Sequence, residues 1–382
     1  MTNRVLIIGG TGRIGTSVAT DIATHTQAQI TITGRHHNNA TDKIPSQNIS
    51  FLKLDLTDEE AIRNAIFFLK QNADNSSGLP LVIHCAGPFF QRDATVLKTC
   101  IEAGVNYLDV SDNRKFTRLA LDCSDAAAEA GITAVINTGI FPGISNSLVR
   151  QCIDQLDEAE KIHLSYVVGG SGGAGLTVMR TTFLGLQNSF EVWMDNRWQS
   201  VAPYSDREVI EFPPPYGKIG VYWFDMPECF TLAKAFPVKS VITKFGSFPD
   251  FYNLMTWIVA NWWPSSWLQN PDTIEFLSQV SYKMTEFTDN FSGIGVAVKS
   301  KVSGFKDGKA VSFSSTLVHE NTAAAAGIGT GTIAELMLRG ELNKPGVYPP
   351  EEVLATDLFE AIMESRGLSR TREENGFFLC RF

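Results

Sequence analysis

The chain has 382 residues, 44% of them hydrophobic and 19% charged, and a formal net charge of −9. That length favours two domains with sizeable cores, and the acidic balance excludes a general nucleic-acid binder, which needs cations to neutralise a phosphate backbone. Six scattered cysteines form no CxxC pair and have no histidine at ligand spacing, so a reduced, cytoplasmic protein without a metal site is expected.

Residues 4–8 (RVLII) read as a first strand that ends in glycines, and it begins too early to leave room for a targeting peptide. A helical pattern follows over 14–23, then strands at 30–33 and 51–54. The next helix opens at Thr57, an N-cap with Glu60 three residues on. Further strands fall at 81–83, 107–110 and 133–136, with helices between them. Strand alternating with helix at this spacing predicts a doubly wound, parallel Rossmann-type sheet.

The pattern changes after Gly143. Long β-prone segments at 162–168, 219–224, 238–245, 294–302 and 311–318 are separated by turn-rich pieces. They predict a mixed or antiparallel sheet in a central α+β domain. Segments 322–338 and 350–366 read as closing helices that return towards the first domain. The expected boundaries are 1–143, 144–321 and 322–382.

Gly9, Gly12 and Gly15 form G-x-x-G-x-x-G between a strand and a helix, with Thr11, Arg13 and Ile14 in the loop. Glycine there permits a tight turn, close approach of the backbone to a pyrophosphate, and tight helix–strand packing; the helix N-terminus faces the phosphates. An enzyme that uses NAD usually carries a carboxylate after the second strand. Here the segment is Thr33-Gly34-Arg35-His36-His37, so Arg35 points to the 2′-phosphate of NADP. Asp55 ends the third strand, where it can bond adenine or cap a turn. Ala86, Gly87, Pro88 and Phe89 follow the fourth strand, where small residues suit a wall beside the nicotinamide.

This loop would also suit a short-chain dehydrogenase, whose Tyr-x-x-x-Lys supplies the proton. None of the eight tyrosines has a lysine four residues on, which excludes that mechanism. The segments HCAGPF (84–89), CIEAGVNYLD (100–109) and TGIFPGISN (138–146) resemble instead the saccharopine dehydrogenase-like family. More narrowly, the chain is similar to a subgroup from cyanobacteria and plastids. The resemblance implies a Rossmann domain, a central mixed-sheet domain and a homodimer, and it marks Asn146 as a substrate-side residue. In saccharopine reductase the last motif reads Gly-x-Asp-Pro-Gly; Phe141 stands in place of that aspartate, and an apolar ring cannot hold an ammonium group.

Asp109 and Asp112 lie at the end of a parallel strand, where sites gather, and two carboxylates three apart can shift one another's pKa. Asp112 is a candidate proton donor or a helix cap, and Asp109 a substrate contact. His319, after a strand, is the histidine best placed for acid–base work; His84 and His163 read as structural. The glycine-rich loop at 169–175 can hold an anion or serve as a hinge. Arg180 beyond it meets a substrate carboxylate or forms a salt bridge.

One uncharged stretch, 251–268, holds four of the seven tryptophans. Its polar residues and Pro264 make it a poor spanning helix. It reads as a core helix with a turn at 263–264, a peripheral membrane or lipid surface, or a pocket wall. The function expected from all this is NADP-dependent oxidoreductase, with hydride transfer from NADPH to a carbonyl, imine or enoyl group of a small, apolar or lipid-like substrate. The alternatives are an amino-acid dehydrogenase of saccharopine type and a non-catalytic, membrane-peripheral NADP-binding sensor or scaffold.

Overall fold

Strand β1 (Arg4–Ile8) is apolar at every position from Val5 to Ile8 and buried throughout, as a central parallel strand must be when helices cover both faces. The computed structural model describes residues 3–37, 41–44, 46, 48–73, 79–170, 172, 175–262 and 265–381. They divide into two units, Met1–Ile144 with Ala323–Met363, and Ser145–Thr322 with Glu364–Phe382.

The first unit continues with α1 (Arg13–His25), β2 (Gln29–Gly34), β3 (Ile49–Lys53) and α2 (Glu59–Gln71). Then come β4 (Leu81–His84), α3 (Thr95–Ala103), β5 (Asn106–Asp109), α4 (Arg114–Leu121), α5 (Ser124–Glu129) and β6 (Thr133–Val135). All pairings are parallel, in the order β6-β5-β4-β1-β2-β3. Strand order reverses beside β1, which creates the crevice at the carboxyl edge where such sheets bind ligands. Leu6, Ile8, Val82, Leu97, Tyr107 and Ile136 share one core cluster with the helices above them. The expected cap of α2 is off by one residue. Asp58, not Thr57, accepts the N–H of Ala61 at 2.9 Å, because Thr57 is already spent on the Asp55 turn.

The second unit begins in α6 (Ile144–Ile153) and runs through β7 (Glu158–Gly169), α7 (Leu176–Leu184), β8 (Phe190–Met194), β9 (Arg197–Val201), β10 (Glu208–Phe212) and β11 (Gly217–Trp223). It continues with α8 (Glu228–Ala235), β12 (Ser240–Phe248), α9 (Phe251–Trp262), α10 (Ser265–Leu268), α11 (Pro271–Ser292), β13 (Val296–Lys306) and β14 (Lys309–His319). Its sheet is mixed: β12 and β7 run parallel, while β7–β13 and β13–β14 are antiparallel. The short strands β8 to β10 were not legible because each spans only five residues and β9 buries none of them.

Helix α12 (Thr322–Leu338) belongs to the first unit. It is apolar all round and buried along most of its length, the pattern of an interior helix. A Cβ on Gly327 would sit 2.7 Å from the Ser17 backbone, so glycine there lets α12 lie close on α1. The segment 350–366 is not one helix but two, α13 (Pro350–Val353) and α14 (Thr356–Ser365), divided where Leu354 is extended and buried. Between α12 and α13, β15 (Gly346–Tyr348) adds a seventh parallel strand beside β6. The last residues are strands, not helices: β16 (Arg370–Glu374) pairs with β14, and β17 (Phe377–Arg381) with β16.

The core-helix reading of 251–268 fails. Phe251, Leu254, Met255, Ile258, Trp262 and Trp267 are exposed, while Asn253 and Leu268 are buried. The expected turn at 263–264 lies outside the described residues. Among the described residues, no helix is long and apolar enough to cross a membrane.

Candidate functional site

The turn from β1 to α1 is built from glycine for two separate reasons. Gly9 has φ +76°, and a Cβ there would lie 2.8 Å from the backbone of Ala86. Gly15, in the first turn of α1, would drive a Cβ to 2.7 Å from the Gly10 Cα. The first glycine therefore closes the ends of β1 and β4, and the second seats α1 on the loop. Thr33 Oγ1 accepts the Gly9 N–H at 3.2 Å, and Thr16 Oγ1 donates to the Gly10 carbonyl at 3.0 Å. Gly12 caps α1 without a side-chain bond, so the helix presents N–H groups and its positive dipole end at the crevice. Thr11, Arg13 and Ile14 lie on this turn. It fits a dinucleotide pyrophosphate.

Arg35 follows β2 directly and is exposed. Asp55, also exposed, accepts both the N–H and the hydroxyl of Thr57 at 3.0 Å, so it caps a turn. Those bonds, and then the charges of Arg35 and Arg92, hold its carboxyl below the usual range. Arg92 escaped the sequence reading. It is partly buried on the loop after β4, and its Nε donates to the Ala86 carbonyl at 3.1 Å. Burial and the nearby Arg35 charge lower its pKa. Two guanidiniums thus act on one edge of the crevice, and the only sequence signal was a cation four residues beyond Pro88.

Gly87-Pro88 is a cis peptide, and Phe89 packs 5.0 Å from the His84 ring. His84 is buried, its Nδ1 accepting the Ala86 N–H at 3.3 Å. Burial pushes its pKa down to about 3, so it serves the core and does not titrate near neutrality. The unfolded chain therefore takes up a proton that the folded chain refuses as pH falls below 6.5, and stability drops on acidification. Asp109 acts in the opposite sense: its folded carboxyl holds a proton up to about 6, so its contribution is full below the ordinary value of 3.8 and is lost as pH rises through 6. Comparing His84→Gln with the parent chain isolates the histidine. In urea unfolding at pH 7 and pH 5, the parent should lose about 2 kcal/mol more than the variant. Equal losses would show that His84 is accessible to protons.

Asp109 is fully buried and accepts the N–H groups of Ser111 and Asn137 at 3.0 and 2.9 Å. It holds the loop between β5 and α4 against the end of β6. Asp112 lies on that loop, partly exposed, and Asn113 rather than Asp112 caps α4. Burial raises both carboxyls to about 6, and neither shift comes from the other aspartate. The expected mutual coupling is therefore replaced by desolvation. Phe141 is partly buried and precedes the cis Phe141-Pro142 bond.

The remaining candidates belong to the second unit. Asn146 is buried at the start of α6, where its Oδ1 lies 3.2 Å from Ser145 Oγ. Ser145 Oγ also lies 3.0 Å from Glu228 Oε1, which accepts the Tyr166 hydroxyl at 2.8 Å. Glu228 is fully buried in the first turn of α8 and was not foreseen, since nothing in PECFTL marks a carboxylate for the interior. Arg180 makes the salt bridge, not a free cationic site: Nε and Nη2 donate to Glu275 of α11 at 2.6 and 2.7 Å. His319 ends β14, its Nδ1 lying 2.8 Å from the Asn321 carbonyl oxygen and 3.0 Å from the Asn321 nitrogen. In the glycine-rich loop, residues 171, 173 and 174 lie outside the described residues.

Residues 5–135 match the family described as the saccharopine dehydrogenase NADP binding domain. Carboxynorspermidine synthase of Vibrio cholerae is 25% identical over 319 residues, covering 75% of this chain and 76% of its own. Carboxyaminopropylagmatine dehydrogenase of Synechocystis sp. is 24% identical over 335 residues, covering 79% and 81%. Saccharopine dehydrogenase (L-Glu forming) from Saccharomyces cerevisiae shares the fold, with a TM-score of 0.70 at 15% identity over 97% of this chain and 99% of that one.

Proposed function

We propose that the chain, whose residues 5–135 are a saccharopine dehydrogenase-type NADP-binding domain, is an NADP-dependent oxidoreductase acting on a carbonyl, imine or enoyl group of a small substrate. The observation that carries this reading is the turn at Gly9 and Gly15, where a Cβ at either position would strike backbone. NADPH supplies the hydride when bound; the protein has to position the partners and manage a proton. Gly9, Gly12 and Gly15 hold the pyrophosphate, Arg35 pairs with the 2′-phosphate, and residues 86–89 flank the nicotinamide side.

Asp112 is the proton carrier in this reading. It lies at the carboxyl edge of the sheet, and burial brings its pKa to about 6, close to the value that suits a general acid at neutral pH. Asp109 positions the loop that carries it. Asn146 and His319 belong to the second unit, and the sequence alone marks them for the substrate, His319 as the alternative donor. Arg180 stays a structural partner of Glu275. Both relatives are named for carboxylated amines, which favours an imine acceptor over a ketone or an enoyl group. A cytoplasmic homodimer is part of the same proposal.

The test is NADPH oxidation by the full chain with three panels: amines paired with carbonyl acids, ketones, and enoyl thioesters. Turnover is expected with an amine–carbonyl pair, and Asp112→Asn should cut kcat at least about 10-fold while leaving NADPH affinity unchanged. Tight NADPH binding with no consumption in any panel would overturn the enzyme reading.

A further inference from the structure

Helices α9 and α11 are inside out. A surface helix normally turns its apolar stripe towards the core. On α9, Phe251, Leu254, Met255, Ile258 and Trp262 fall at i, i+3, i+4, i+7 and i+11, a single face, and all five are exposed, Trp262 to 77%. The buried residue of α9 is the polar Asn253. Asn253 accepts the Ser247 N–H and the Tyr204 hydroxyl, each at 2.7 Å, and donates to the Gly220 carbonyl at 2.9 Å. This hub fixes the roll of α9 on β11 and β12.

The same inversion recurs on α11. Its buried positions are Ile274, Ser278, Thr285 and Ser292, three of the four polar. Its exposed positions include Phe276, Val280, Phe287 and Phe291, the last two at 75% and 83%. The Tyr252 hydroxyl lies 2.6 Å from Thr288 Oγ1, which ties the start of α9 to the end of α11.

We propose that this double-helix face is where two copies of the chain associate. A large aromatic side chain contributes roughly 150–250 Å² when covered, so the exposed aromatic and aliphatic groups of the two helices offer about 1,000 Å². That exceeds the roughly 300–600 Å² of the largest apolar patch on a typical monomer and meets the ~800 Å² per partner of a stable interface. A two-fold contact needs only that one patch be complementary to itself. Charge argues against a membrane as the occupant. Peripheral helices use basic residues to meet anionic headgroups, whereas residues 251–292 hold Asp272, Glu275, Glu286 and Asp289 against the single Lys283.

The inference rests on the proposed function only in supplying a surface for its dimer, and the two are tested by separate readouts. Sedimentation of the full chain at micromolar concentration should give a dimer. Phe287→Glu with Phe291→Glu should weaken association at least 30-fold, and NADPH titration should be unaffected because both side chains are exposed in the second unit. Phe68→Glu, on the equally open surface of α2, should leave the dimer intact. A monomeric parent chain would overturn the proposal, as would a dimer indifferent to the double substitution. A parent chain that sediments as a monomer but floats with phosphatidylcholine vesicles would give the face to lipid instead. A parent chain that dimerises through this face but binds no NADPH would count against the enzyme reading alone.

Discussion

Gly9→Val should raise the dissociation constant for NADPH by about 100- to 1,000-fold, the largest single effect expected from any substitution at the crevice. Two costs combine. The backbone at Gly9 is left-handed, with φ +76°, a conformation that penalises a side chain by about 1–2 kcal/mol. The added carbons also meet the Cα, N and Cβ of Ala86 at 2.8 Å, so β1 and β4 must part at the edge where a pyrophosphate would approach. Gly131→Ala separates these causes. Gly131 has φ +70°, yet nothing lies within 4 Å of a Cβ built there. It should cost stability through the backbone alone and leave cofactor affinity unchanged. Fluorescence titration with NADPH, paired with thermal melts of both variants, distinguishes a blocked site from an unfolded one. Binding by folded Gly9→Val within about 3-fold of the parent would remove the reason for reading this turn as the cofactor cradle.

The parallel half of the fold was legible because its signals are local. Apolar runs at β1 and β4, glycines at a strand end, and helical spacing between them are each set within a few residues, and the sheet follows from their alternation. The pairings that were missed join distant positions. β15 meets β6 across more than two hundred residues, with Val347 opposite Ala134, and three residues of strand carry too little pattern to announce it. The cap of α2 was misplaced by one residue because Thr57 and Asp58 are both good caps, and which one serves depends on Asp55.

The candidate site divides in the same way. Gly9, Gly15 and Arg35 could be read from the segment itself. Arg92 could not, since its position depends on a hydrogen bond to Ala86 and on the neighbouring charges of Arg35 and Asp55. Glu228 lies in a helix turn with no sequence mark of burial, and only the folded unit brings Ser145 and Tyr166 to it. The stretch 251–268 defeated the reading for a different reason. A hydrophobic stretch is expected to face inward, and here α9 buries Asn253 and exposes Phe251, Leu254, Met255, Ile258 and Trp262.

Arg35→Ala should weaken NADPH by about 10- to 150-fold and leave NADH within about 3-fold, since a charged hydrogen-bonding contact contributes roughly 1.5–3 kcal/mol. Exposure of Arg35 to solvent places the loss towards the lower end of that range. Arg92→Ala should behave differently. Its Nε holds the Ala86 carbonyl, and Ala86 is the residue against which Gly9 closes. Loss of that brace should weaken NADPH and NADH alike, by about 3- to 10-fold, the worth of one hydrogen bond. The double variant should then show losses that add, because one arginine acts on the 2′-phosphate and the other on the wall of the crevice. Titration of both cofactors against the three variants reads each term. Equal loss of NADPH and NADH in Arg35→Ala would sink the 2′-phosphate assignment. A selective loss of NADPH in Arg92→Ala would move part of that contact to the guanidinium after β4, and the charge it shares with Asp55 would then set the preference between the two cofactors.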